Sequence, residues 1–83
     1  MAVHLRSLVA DMGRYLDIAT FDVVVNLEGE KPTFHGRIRV PSERRPDIER
    51  FLGSFRVPGV TWEPYGNWHQ AVFPVIPYDQ RGF

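Results

Sequence analysis

Four short runs of this chain alternate apolar and polar residues: TFDVVVNL from Thr20, TFHGRIRV from Thr33, VTWEPY from Val60 and WHQAVFPVI from Trp68. A period of two is the pattern of a strand with one buried face, so four strands are the first constraint on the fold. The first two runs are joined by a stretch with EGEKP, where Gly29 and Pro32 suit a turn, and the last two by Gly66-Asn67. Two hairpins follow.

The second hairpin has a definite register. With Gly66 and Asn67 as a two-residue turn, Tyr65 stands opposite Trp68, Glu63 opposite Gln70, Trp62 opposite Ala71 and Val60 opposite Phe73. Val60, Trp62, Ala71, Phe73 and Val75 then share one face, while Thr61, Glu63, Tyr65, Trp68, Gln70 and Val72 share the other. Trp62 belongs to the core, its large ring facing a small alanine. Trp68 and Tyr65 fall among polar neighbours. In the first hairpin Phe34, Ile38 and Val40 face inward, so His35, Arg37 and Arg39 face outward.

Two further segments carry helical periodicity. Leu5, Leu8, Val9, Met12 and Leu16 recur at three- and four-residue intervals, which predicts a helix over about residues 3–17, weakened by Gly13. Ile48, Phe51, Leu52 and Phe55 predict a second, with Pro46, Asp47 and Glu49 suited to its first turn, Ser42 as an alternative earlier cap, and a stop before Pro58. The expected fold is α+β, in the order α-β-β-α-β-β, with both helices on one face of a four-stranded, mainly antiparallel sheet. Its other face lies open, carrying Asp22, Asn26, His35, Arg37, Arg39, Tyr65, Trp68 and Gln70. Pro74 and Pro77 cannot donate to a ladder, so the last strand is expected at an edge, where it can pair with another chain.

At 83 residues the chain is read as one domain, residues 1–83, with no repeat and no linker. It has no cysteine to form a disulfide or thiolate zinc site, no leader pattern and no apolar run of membrane-spanning length, so it is read as a cytoplasmic protein. Charge is balanced at ten basic and ten acidic residues, yet residues 31–56 hold seven cations against three acids. Nine of the ten cations are arginine, which favours planar and bidentate contacts over a diffuse field. A protein that coats duplex nucleic acid would carry a larger positive excess.

Catalytic and metal signatures are absent from the sequence. His4, His35 and His69 fit no ligand spacing, Ser7, Ser42 and Ser54 have no activating partner, and there is no P-loop, nucleophile elbow or dinucleotide fingerprint. The expectation is a non-enzymatic protein without a cofactor or metal, with His69 as a partly buried structural histidine beside Pro64. The run RVPSERRPDIER offers Arg39, Arg44, Arg45 and Arg50 near a helix start, but Glu43, Asp47 and Glu49 lie in the same stretch to neutralise them.

The residues that point to binding are Arg37, Arg39 and Trp68 on the open face, with Tyr65, His35, Arg44 and Arg45 around them. Buried Trp, Tyr and Arg carry much of the affinity of protein interfaces. The plainer account is that Trp68 covers arginine stems at a hairpin end. The functional expectation is a small protein that masks a surface of a larger macromolecule, a protein or a protein-nucleic acid complex. Its size and simplicity are those of small accessory and inhibitor proteins, phage-encoded inhibitors of bacterial defence such as anti-CRISPR proteins among them. The alternative is a single-stranded nucleic-acid-binding module in which bases stack on the same rings. A homodimer through the last strand is compatible with either, no membrane is expected as a partner, and Tyr78 and Phe83 are read as aromatic anchors docking on the chain's own fold.

Overall fold

The computed structural model describes residues 3–76 and shows an α+β fold built on one mixed sheet. The chain begins with β1 (Val3–His4) and α1 (Leu5–Met12), followed by a 3-10 turn over Gly13–Tyr15. The first hairpin is β2 (Thr20–Asn26) and β3 (Thr33–Pro41). A 3-10 turn at Ser42–Arg44 leads into α2 (Arg45–Ser54), and β4 (Thr61–Tyr65) and β5 (Trp68–Ile76) form the second hairpin. No helix among the described residues is long and apolar enough to cross a membrane.

Among the described residues the sheet has five strands rather than four, and β5 lies inside it. One side of β5 pairs antiparallel with β3, from His35 opposite Pro74 to Pro41 opposite Trp68. Its other side is shared: β4 pairs antiparallel up to Thr61 opposite Val72, and β1 pairs parallel from Val3 opposite Val75. The expected edge position of the last strand is therefore overturned. Pro74 is tolerated because, on the β4/β1 side, it sits between the end of one partner's pairing and the start of the next, where no ladder donor is required. Pro77 lies outside the described residues, as do Tyr78 and Phe83.

The first helix is also shorter than its periodicity predicts. Val3 and His4 are drawn into the sheet, and the α-helix gives way to a 3-10 turn at Gly13. Leu8 and Met12 are buried and Leu5 packs against them, whereas Val9 and Leu16 are exposed. The inward stripe is thus narrower than predicted.

Both helices contribute to the same core. Leu8 and Met12 from α1 and Ile48, Phe51 and Leu52 from α2 cluster with Ile38 and Val40 of β3 and Ala71, Phe73 and Val75 of β5. Gly36 makes this packing possible. A Cβ there would lie 2.6 Å from Cε2 of Phe73, so the ring occupies the space a side chain would need. Pro46 sits in the first turn of α2 as expected. The helix ends in a Schellman arrangement, with Val57 N–H donating to the Leu52 carbonyl at 3.0 Å and Arg56 N–H to that of Gly53 at 3.1 Å. Arg56 occupies the left-handed position usually given to glycine, with φ 56°.

Candidate open-face binding site

The register of both hairpins determines which side chains meet on the open face. In the second hairpin Tyr65 pairs with Trp68, Glu63 with Gln70 and Trp62 with Ala71, as the Gly66-Asn67 turn predicts. Gly66 takes φ 63°, the left-handed first position that a tight hairpin turn needs. The turn is anchored from outside the hairpin: Ser42 donates to the Asn67 carbonyl through both its hydroxyl, at 2.9 Å, and its backbone N–H, at 3.3 Å. Strand β3 then brings Arg39 opposite Gln70, and β2 brings Asp22 opposite Arg37.

These rows form two polar networks across the sheet. Arg39 Nε donates to Gln70 Oε1 at 2.9 Å, and Gln70 in turn donates to Glu63, so three strands are linked in one line. Arg37 holds Asp22 bidentately, with Nε to Oδ1 at 2.9 Å and Nη2 on the second oxygen. The hydrogen bonds and charge of Arg37 hold the Asp22 carboxyl below the usual carboxylate range. The centre of the face is internally satisfied.

The end of the face near the Gly66-Asn67 turn is different. Tyr65 and Trp68 remain exposed, with the Arg39 guanidinium 4.0 Å above the Tyr65 ring centroid. Beside Trp68 opens a groove of about 350 Å³, lined by Leu16, Ile18 and Pro41 with Asp17, Glu43 and Arg44 among its charged residues. Leu16 is 60% exposed and Trp68 38%. An apolar floor with a mixed-charge border can receive an apolar side chain flanked by polar groups.

The predicted site residues are divided by the fold. Arg37, Arg39, Tyr65 and Trp68 share the open face, and Arg44 joins Trp68 at the groove. Arg44 Nε is bonded to Asp47 at 2.8 Å, and Arg50 reaches the same carboxylate at 2.5 Å, which lowers the Asp47 pKa. Arg45 lies elsewhere: its guanidinium sits 4.5 Å above the Trp62 ring, with Glu49 at 3.5 Å. His35 stands at the far end of the open face opposite Pro74 and lines a second groove with Phe34 and Ile76. Asp17 and Ile18 are groove residues that periodicity did not single out, and Leu16 is one that it assigned to the core stripe of the first helix. The signal was Gly13, which breaks the helix and frees Leu16 from the core stripe.

No group of three metal-ligating side chains comes together among the described residues. His69 is half-buried opposite Pro64 and Val40, and its Nδ1 has no hydrogen-bond partner there. The chain matches no family model, no curated protein and no solved structure.

Proposed function

We propose that this protein is a non-enzymatic binding module that masks a surface of a larger macromolecule, using the Trp68 end of its open sheet face. The observation that carries the reading is the exposed Trp68 ring beside a groove in whose apolar lining Leu16 is also uncovered. A tryptophan of this kind anchors an interface because it buries much area with few rotatable bonds. Arg44 and Glu43 at the groove provide charge for orientation, while Arg37 and Arg39 act as a rigid polar floor. An inhibitory or accessory role, including that of a phage-encoded inhibitor, is the biological class this mode of action fits.

A second reading rests on the Arg39–Tyr65 stack, which presents a ring and a guanidinium together, as single-strand binders do. It is weakened by the engagement of Arg37 with Asp22 and of Arg39 with Gln70. The test uses a photo-crosslinking amino acid at position 68, with one at exposed Leu27 as control, in lysate of the protein's own host cell. A defined adduct from position 68, lost on Leu16→Asp, supports masking. Salt-sensitive quenching of tryptophan fluorescence by oligonucleotides, lost in Trp68→Phe, would replace it with the nucleic-acid reading. Neither signal would overturn both.

A further inference from the structure

The outer edge of β2 is unlike every other border of the sheet. β2 pairs with β3 at all seven positions, from Thr20 opposite Arg39 to Asn26 opposite Thr33, with no bulge. Its other edge has no strand partner among the described residues. Every second residue therefore turns its N–H and C=O away from β3, toward a lane that no described strand occupies.

Proteins normally protect such an edge with a short strand, proline, lysine or a bulge. The opposite border follows that rule, since β1 has two residues and β4 has five with Pro64 among them. The segment TFDVVVN has none of these devices. Its single charge, Asp22, is held on the open face by Arg37. Apolar side chains are exposed on both sides, with Val24 on the open face and Val25 on the helix-covered face.

The sequence of β2 is complementary to itself. An antiparallel two-fold pairing that uses all seven residues centres on Val23, placing Thr20 opposite Asn26, Phe21 opposite Val25 and Asp22 opposite Val24 of the second copy. No like charges face one another, and the half-buried Phe21 covers an exposed valine. Because the axis runs perpendicular to the sheet, the open faces of the two copies lie on the same side.

We infer that a second copy of this chain pairs with β2 edge to edge, joining two five-stranded sheets into one continuous sheet with a doubled open face. The contact is a strand addition of seven residues, so its affinity is modest and the dimer is concentration-dependent.

Sedimentation equilibrium of the full chain from micromolar to near-millimolar concentration tests this. The expected mass rises from 9.6 kDa toward twice that value. Val24→Asp puts a carboxylate opposite Asp22 of the other copy and should shift association at least about tenfold weaker, whereas Val24→Lys puts an opposite charge there and should preserve or tighten it. Circular dichroism verifies that each variant is folded, and if Val24→Asp is not, Val24→Glu replaces it. A 9.6 kDa mass at all concentrations would overturn the inference. So would a dimer that responds equally to the two charges, because it would use another surface.

Discussion

Each face of the sheet carries an arginine laid over an aromatic ring, and the two pairs sit in opposite surroundings. On the covered side Arg45 of α2 lies over Trp62, whose ring packs against the core. On the open side Arg39 lies over Tyr65, whose ring remains exposed next to Trp68. The same contact therefore closes a core in one place and decorates a surface in the other. Ring chemistry alone does not distinguish an aromatic that packs on the core from one left exposed; strand parity does.

The largest expected difference is between the two tryptophans. Trp62→Ala removes a half-buried ring and should cost about 3 kcal/mol in urea unfolding, whereas Trp68→Ala should cost less than about 1 kcal/mol. Equal losses would break the distinction between the faces. Gly36→Ala comes next, since its new methyl meets the Phe73 ring and should cost about 1–3 kcal/mol. Adding Phe73→Leu should return part of that loss if the ring is the obstacle, which a double-mutant cycle reads directly.

Arg56→Gly touches neither pair and relaxes a left-handed backbone, so it should raise stability by about 1 kcal/mol. The smallest effect is electrostatic. Asp22 is held ionised by Arg37, so its folded pKa lies below its unfolded value of about 3.9. Its contribution is present above about pH 4 and lost as pH falls through the folded pKa. Asp22→Asn should therefore flatten the acid limb of the stability curve below about pH 4, while leaving its shape near neutrality unchanged. The pair is partly exposed, so salt should reduce the difference.

What was legible in the sequence was the part governed by local periodicity. Alternation around Gly66-Asn67 predicted the Tyr65–Trp68, Glu63–Gln70 and Trp62–Ala71 pairs, and with them which tryptophan faces outward. The same parity put His35, Arg37 and Arg39 on the open face. What depended on distant partners was not legible. Val3–His4 is too short to show any period, and the pairing of β3 along the free side of β5 turned a predicted edge into an interior strand. The placement of Arg45 over Trp62 depends on how α2 rotates against the sheet, which strand periodicity does not encode. The groove beside Trp68 arose where the helical stripe failed, at Leu16.

The interior position of β5 has a consequence for the order in which the molecule can be made. Residues 68–76 are the shared neighbour of β1, β3 and β4, so the sheet's central seam closes only after they have left the ribosome. Until then the β2–β3 hairpin exists without its principal partner, and Ile38 and Val40 have no Ala71 or Phe73 to pack against. Assembly of the sheet therefore waits for the last of its described strands. During synthesis, its nascent form exposes the same valine-rich strand that the finished fold leaves at its border.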